Sequence, residues 1–432
     1  MRIQDLCYLT SLWNNVNYLL ISLTIVTLSR RQAFNLMQKV TPRRARARNT
    51  QIVLKTIFTD GPISRAEISR VTELTPPTIS DVVSKLISNG LVEEVGFAPS
   101  STGRRAILLE VADDSRQLIG VDLSRQDFRG ALANLRGQIK HRVDLPLQGR
   151  DGDAALSLVY DLVDALVKSA SSPLLGIGIG VPGLVDASKG VLHQSVNLNW
   201  RHIPLGKLLQ KRYNLPVYMA NDCQVAALAV YTFGTHTDDE LPLVVINVGW
   251  GVGAGIIMNG KLMHGTPVGA GEIGHVTVQD NGVQCACGNY GCLETIASTR
   301  GVIRRVKAQL DGNPRLSKTE FVTSLDHIDM DTIFQLLEAG NEDVRQVALE
   351  TGKALGIVAA NLVGVLGSCR ILLRGEVANF GQLLIEAMRD EMDKRTLPIL
   401  SRVSDIGETN VGSDIVIRGA SALILHHELG VL

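Results

Sequence analysis

The sequence predicts an α/β protein in which a small helical module precedes a larger α/β core. Three observations predict it. Residues 41–112 carry three short helical patterns followed by a hairpin pattern. From Leu118 onward, buried-strand patterns alternate with amphipathic helices, the order of α/β folds. Within that core, Gly271 to Thr295 reads G-E-I-G-H-V-T-V-Q-D-N-G-V-Q-C-A-C-G-N-Y-G-C-L-E-T and gathers three of the six cysteines beside a histidine.

The chain has 432 residues, room for two or three domains. Apolar content of 45% and charged content of 20% are those of an ordinary soluble globular protein. Basic and acidic residues balance at 43 each, so no global field attracts nucleic acid, and any DNA contact must be locally basic. Tyr18 to Leu28 is an apolar run ending before Arg30-Arg31. It is short of the roughly 20 residues a bilayer requires. It also lacks the basic flank and cleavage site of a secretory leader. Residues 1–40 are therefore expected to be a packing helix or an extension upstream of the functional start.

In the first module, Arg43, Arg44, Arg46 and Arg48 are expected to lead into a helix with Ile52, Val53 and Ile57 at helical spacing, ended by Asp60-Gly61-Pro62. Ser64 and Glu67 predict a capping box opening a second helix, with Ile68 and Val71 inward. Thr72 to Thr75 is the turn. Thr75 is expected to cap a third helix with Pro76 at its first position, where a missing N–H costs nothing. Ile79, Val82, Val83, Leu86 and Ile87 form its buried stripe, Thr78, Asp81, Ser84 and Lys85 face away, and Asn89-Gly90 closes it. Leu91–Val95 and Ala106–Val111 read as a hairpin around the tip Ser100-Ser101-Thr102-Gly103-Arg104-Arg105. Three helices plus an arginine-tipped wing form a winged helix-turn-helix, whose third helix enters the major groove by its N-terminal end. The DNA-contacting residues would be Thr75, Thr78, Ser80 and Lys85 on that helix, with Arg104 and Arg105 on phosphate or minor groove. A scaffold for protein contacts is the competing reading. Capping box, basic segment and arginine wing together favour DNA.

In the core, Leu118–Leu123 and Phe128–Asn134 read as strands, Ala154–Ser169 as an amphipathic helix, and Leu174–Val181 as a glycine-alternating buried strand ending in Pro182-Gly183. Val217–Met219 is a short strand delivering Asn221-Asp222 to a helix over Ala226–Val230, and Val244–Met258 is strand, glycine turn and strand. In the cysteine window, His275, Cys285, Cys287 and Cys292 supply one imidazole and three thiolates, a complete tetrahedral zinc shell. Gly288 and Gly291 allow the tight turns that aim the sulfurs inward. With no position left for water, such a site is structural. A disulfide within C-x-C is disfavoured in a chain whose other features read as cytoplasmic. Glu272 and Glu294 flank the loop, and carboxylates held there can accept hydrogen bonds from sugar hydroxyls.

The pattern G-E-I-G-H followed by C-x-C-G-x-x-G-C-L-E resembles the signature of the ROK family, which contains repressors and sugar kinases. The first module resembles that of ROK repressors, including its G-R-R wing, and ROK kinases lack it. The resemblance implies an actin-like, ribonuclease-H-like core with two lobes around a cleft. The winged helix-turn-helix then occupies 41–112 and the ROK domain 113–432. Lobe one spans about 113–235 plus the helix from Ser413 onward, and lobe two about 236–412. It implies sugar contacts at Gly183, Asn221, Asp222, Glu272, His275 and Glu294. Asp222 matches the family's general base, although a helix N-cap is its simpler role. Asn197 and Trp200 are further candidates near the sugar.

On the nucleotide side the match degrades. A kinase's D-x-G-G-T reads Asp122-Leu123-Ser124-Arg125-Gln126, its G-T-G-x-G reads Gly249-Trp250-Gly251-Val252-Gly253, and its paired-glycine turn reads Gly375-Glu376-Val377. Glycines let backbone N–H groups approach phosphate, and side chains at these places crowd it. The resemblance thus implies a sugar-responsive repressor without an ATP site, bound to a palindromic operator as a homodimer or homotetramer. The effector would be a sugar or sugar phosphate; a third possibility is that the inducer is a protein, as in family members sequestered by a sugar transporter at the membrane. The alternative is an active ROK sugar kinase carrying a DNA module.

Overall fold

A computed structural model describes residues 41–99, 105–124, 126–234, 241–265, 268–311 and 327–431. The extension 1–40 and Arg104 lie outside the described residues.

The first module packs α1 (Pro42–Asp60), α2 (Arg65–Thr72) and α3 (Pro76–Ser88) against a sheet of β1 (Ile63–Ser64), β2 (Val92–Phe97) and β3 (Ile107–Val111), in the order β1-β3-β2. The four arginines do not precede the first helix. They lie in its opening turns, because Thr41 caps it and Pro42 takes its first position. The capping box forms as expected: the Ser64 hydroxyl accepts from Glu67 N–H, and the Glu67 carboxylate accepts from Ser64 N–H. Val71 is exposed rather than inward, since Ile68 fills the core of so short a helix.

The first lobe is a five-stranded sheet of β4 (Gln117–Leu123), β5 (Asp127–Ala133), β6 (Ile139–Pro146), β7 (Leu174–Val181) and β11 (Val217–Asn221). Its order is β11-β7-β4-β5-β6, with β4, β7 and β11 parallel and the other pairs antiparallel. One face buries α4 (Gly152–Ser169) through Leu158, Leu162 and Leu166. A small sheet of β8 (Leu184–Asp186), β9 (Val191–Ser195) and β10 (Trp200–Ile203), with α5 (Leu205–Tyr213), follows β7.

The other face carries α6 (Asp222–Phe233) and α13 (Ile415–Ile424), and it explains the alternating glycines of β7. A Cβ on Gly178 would lie 1.8 Å from the Ala420 carbonyl oxygen, and one on Gly120 would lie 2.4 Å from that of Ile417. The helix backbone therefore rests directly on the sheet backbone. Gly178→Ala is expected to cost about 3 kcal/mol, the upper end of overpacking penalties, because a main-chain atom cannot swing aside. Urea unfolding of the variant checks it.

The second sheet runs β14-β13-β12-β15-β16, from β12 (Leu243–Val248), β13 (Val252–Met258), β14 (Lys261–Leu262), β15 (Arg370–Arg374) and β16 (Asp405–Glu408). Its helices are α7 (Leu293–Ala297), α8 (Thr299–Asp311), α9 (Met330–Glu338), α10 (Glu342–Leu366), α11 (Gln382–Arg395) and α12 (Pro398–Ser401). By length and hydropathy α10 could cross a bilayer, yet half of its most apolar stretch is buried. Gly352 and Gly356 bring its backbone against α11. Helix α6 lies between the two sheets: Val225 to Val230 share one apolar cluster with Val245, Ile257 and Leu372. The first module is likewise continuous with the first lobe, since Ile57, Leu109, Leu118, Ile424 and Val431 belong to a single cluster.

Candidate functional site

Between the sheets, Asn221 ends β11 and caps α6. Its amide oxygen accepts from Cys223 N–H at 2.8 Å, and its amide nitrogen donates to the Gly183 carbonyl at 3.1 Å. The cap role therefore falls to Asn221, and Asp222 is the first helical residue with its carboxylate free of that duty. Gly183 has φ +126°, and a Cβ there would lie 2.1 Å from the Gln194 carbonyl oxygen, so only glycine fits. Trp200 does not face this site. It is buried, and its indole N–H donates to the Gly152 carbonyl at 2.8 Å; Asn197 is exposed.

Four sequence-selected groups from both sheets share one electrostatic environment. Burial pushes the Asp222 carboxyl above the usual carboxylate range, with the positive charge of Arg374 opposing it. Burial also raises Glu272; His275 opposes the rise, while Asp222 and Glu294 add to it. Several shielded carboxylates in one electrostatic environment offer acceptors to hydroxyl donors. Glu294, in α7, also accepts from Val252 N–H at 3.1 Å and lies 3.5 Å from Arg300. Arg374, at the end of β15, was not selected from the sequence. The arginine directly before Gly375, where a glycine pair was expected, was the available signal.

At the positions of the three degraded glycine motifs the side chains have partners of their own. Asp122 is buried and ion-paired with Arg129. Ser124 closes the turn after β4 by donating to the Asp127 carbonyl at 2.8 Å. The Arg300 guanidinium stacks 5.2 Å from the Trp250 ring centre, and Thr299 donates to Glu376 at 2.9 Å.

His275, Cys285, Cys287 and Cys292 converge, their ligand atoms all within 4.8 Å of one another, and could hold a metal ion. Cys287 and Cys292 sulfurs are 3.7 Å apart, as are Cys285 Sγ and His275 Nδ1. Two sulfurs each about 2.3 Å from one tetrahedral ion stand about 3.8 Å apart. The loop needs its glycines: Gly288 has φ +96°, and Gly291 has φ +66° with a Cβ position 1.8 Å from the Gln279 carbonyl oxygen. Nδ1 faces the cluster, so the other ring nitrogen of His275 is left for a different partner.

In the DNA-reading module, Thr75 occupies the N-cap position, yet its hydroxyl does not cap. It pairs with the Thr78 hydroxyl at 2.9 Å. Pro76 and Pro77 occupy the first two helical positions of α3, and Ser80 is exposed beyond them. Lys85 sits in the last turn of α3 and is bonded to Asp81 at 2.6 Å, away from the N-terminal end. Arg105 is exposed at the base of the wing.

Residues 118–427 match the ROK family profile, most of the chain, and residues 47–93 match a winged helix-turn-helix DNA-binding profile. The chain belongs to the ROK family. A xylose repressor from Caldicellulosiruptor bescii is 34% identical over 354 residues, 81% of this chain and 88% of that protein. A crystallised ROK family transcriptional regulator, described as a homologue of the E. coli MLC protein, superposes with TM-score 0.79 at 27% identity and covers 90% of this chain and 98% of its own. A ROK family glucokinase from Streptomyces griseus, in complex with glucose and AMPPNP, superposes with TM-score 0.62 at 25% identity, covering 71% of this chain and 98% of its own.

Proposed function

We propose that this ROK protein is a cytoplasmic, sugar-responsive transcriptional repressor of carbohydrate uptake or catabolism genes. The observation that carries this reading is a winged helix-turn-helix profile match joined to a ROK family match in one chain. The similarity to a named xylose repressor supports it. The division at residue 113, with α13 completing lobe one, is part of the same proposal.

Asp222, Glu272, Glu294 and His275 Nε2 read sugar hydroxyls, with Gly183 and Asn221 fixing the opposite wall. Zinc on His275 Nδ1 and the three thiolates sets the imidazole's position. When bound, the ion supplies three thiolates with compensating charge; without it, burial and neighbouring thiols push the Cys292 thiol up to about 12. Thr75, Thr78 and Ser80 meet the major groove, Arg104 and Arg105 the wing-side backbone. Lys85 contributes phosphate attraction if it leaves Asp81. A twofold dimer, or a tetramer of such dimers, reads a palindrome. A sugar phosphate remains within the effector class, and a transporter protein could compete for the same regulator.

No step of phosphoryl transfer is assigned to the chain. Its buried Asp122 is committed to Arg129, and Trp250 stands where a small hydroxyl residue belongs in a kinase. The test is a gel shift on the protein's own promoter with a panel of neutral and phosphorylated sugars, beside a coupled ATPase assay with the same panel. Operator binding released by one sugar, with no ATP turnover, is the expected result. Sugar-dependent ATP turnover would establish the kinase alternative.

A further inference from the structure

Three histidines that the sugar site does not use meet where the three parts of the molecule join. His426 and His427 lie in the final helical turn, Leu425–Leu429, which extends α13. His264 comes from lobe two, two residues after Leu262 of β14, which packs into the apolar cluster that holds Tyr218 of β11 and Leu423 of α13. The His426 and His427 rings are 5.1 Å apart at 78°, and His427 stacks at 4.3 Å on Tyr218 of β11. From the first module, Leu54 and Ile57 of α1 share an apolar cluster with Leu425 and Val431, and a Cβ on Gly430 would lie 2.7 Å from Gln51 Nε2. Glu428, the nearby acid, is engaged by the Tyr218 hydroxyl.

His264 also stands at the neck of the loop that leads to the sugar site. Its carbonyl accepts from Ala270 N–H at 3.3 Å, and Gln224 of α6 donates to the Met263 and Ala270 carbonyls at the same neck. Glu272 follows two residues later. The Nδ1 atoms of His264 and His426 are buried with no hydrogen-bond partner among the described residues. A buried imidazole of that kind is tolerated neutral and is costly once charged.

We propose that His264, His426 and His427 form a proton-sensitive latch that ties the sugar-site loop of lobe two and the first helix of the DNA-reading module to the C-terminal turn, and that protonation opens it. This rests on the reading that the cleft controls the DNA-reading module. Burial holds all three imidazoles below the ordinary histidine range. His426 reinforces the effect at His264, His427 and Lys55 reinforce it at His426, and His264 does so at His427, where Glu428 opposes it. A group whose folded pKa is depressed binds protons better in the open form. The latch is therefore complete above the ordinary histidine pKa and is lost as pH falls through and below it.

The test is hydrogen exchange on the full chain without DNA or sugar, comparing wild type with a His264→Gln/His426→Gln/His427→Gln variant between about pH 7.5 and about pH 5.5. After correction for intrinsic exchange, protection of Pro42–Asp60 and of residues 268–271 should fall in wild type by about tenfold per pH unit for each proton taken up. The neutral variant should stay flat. Unchanged protection in β7 shows that both proteins remain folded. If that variant does not fold, His264→Gln alone is compared, and its fall should be shallower than that of wild type by one proton's share. A flat wild-type profile, or parallel profiles, would overturn the latch. Operator titrations at the same pH values separate the two ideas. Exchange that changes without any operator binding keeps the latch and defeats the repressor reading, whereas operator binding with flat exchange does the reverse.

Discussion

Cys287→Ser is expected to strip the chain of stoichiometric zinc, loosen the loop between His275 and Cys292, and weaken the effector response while leaving the two sheets folded. Cys287 is the exposed member of the cluster, so its loss creates no core cavity, and the effect isolates metal binding. Structural zinc sites in small domains are worth about 10–16 kcal/mol in apparent binding free energy, and a hydroxyl is a poor replacement for a thiolate ligand. Here little of that reaches global stability, because Leu293, Ala297 and Val302 anchor the following helices in the core of lobe two. The loss falls instead on the loop and on His275, whose ring is no longer fixed. The measurements are metal content by mass spectrometry, exchange of residues 276–291, and effector titration. A chelator should bring wild type to the same state. Added zinc should then restore wild type but not the variant. A wild-type metal content in Cys287→Ser would refute the ligand set.

That site was legible from the sequence because its ligands are close in the chain. Three cysteines within eight positions leave few ways to point the sulfurs, and the two glycines with left-handed backbone conformation mark where the chain turns. The same holds for the capping box of α2 and the buried stripe of α3, both set by local spacing. Long-range relations were not legible in this way. Nothing near Asp122 announces Arg129 as its partner, since the pairing requires β4 and β5 to lie side by side with these residues in register. Trp200 follows Asn199 in a polar segment, and only the fold turns its indole toward Gly152. The alternating glycines of β7 were visible, but their cause lies about 240 residues later, in the carbonyl of Ala420. Arg374 has the same character: its charge bears on Asp222 only because β15 and β11 end at the same cleft.

For Asp222→Asn the expectation is intact operator binding, lost release by sugar, and a thermal midpoint equal to or above that of wild type. The stability direction follows from the sign of the shift. A carboxyl whose folded pKa is raised is disfavoured as a carboxylate in the folded chain at neutral pH, so removing the charge relieves a cost. Arg374, which opposes that cost, is half-buried at the cleft and keeps access to water. The functional direction follows from magnitude. A hydrogen bond to a charged acceptor is worth about 1.5–3 kcal/mol, so its loss weakens sugar binding about ten- to hundredfold. Moving a two-state protein from one percent to ninety-nine percent of one form takes about 5.5 kcal/mol of differential affinity. Release of the operator therefore fails even though some binding remains, because sugar acts only through its preference for one lobe arrangement. Glu294→Ala makes a less clean comparison, since Glu294 also accepts from Val252 N–H and lies beside Arg300, and its removal disturbs the glycine turn. Calorimetric sugar binding and operator release on the same Asp222→Asn sample decide the matter. Release at wild-type sugar concentrations would remove Asp222 from the cleft's hydroxyl readers. A lowered midpoint together with lost release would instead point to a carboxylate that holds the fold.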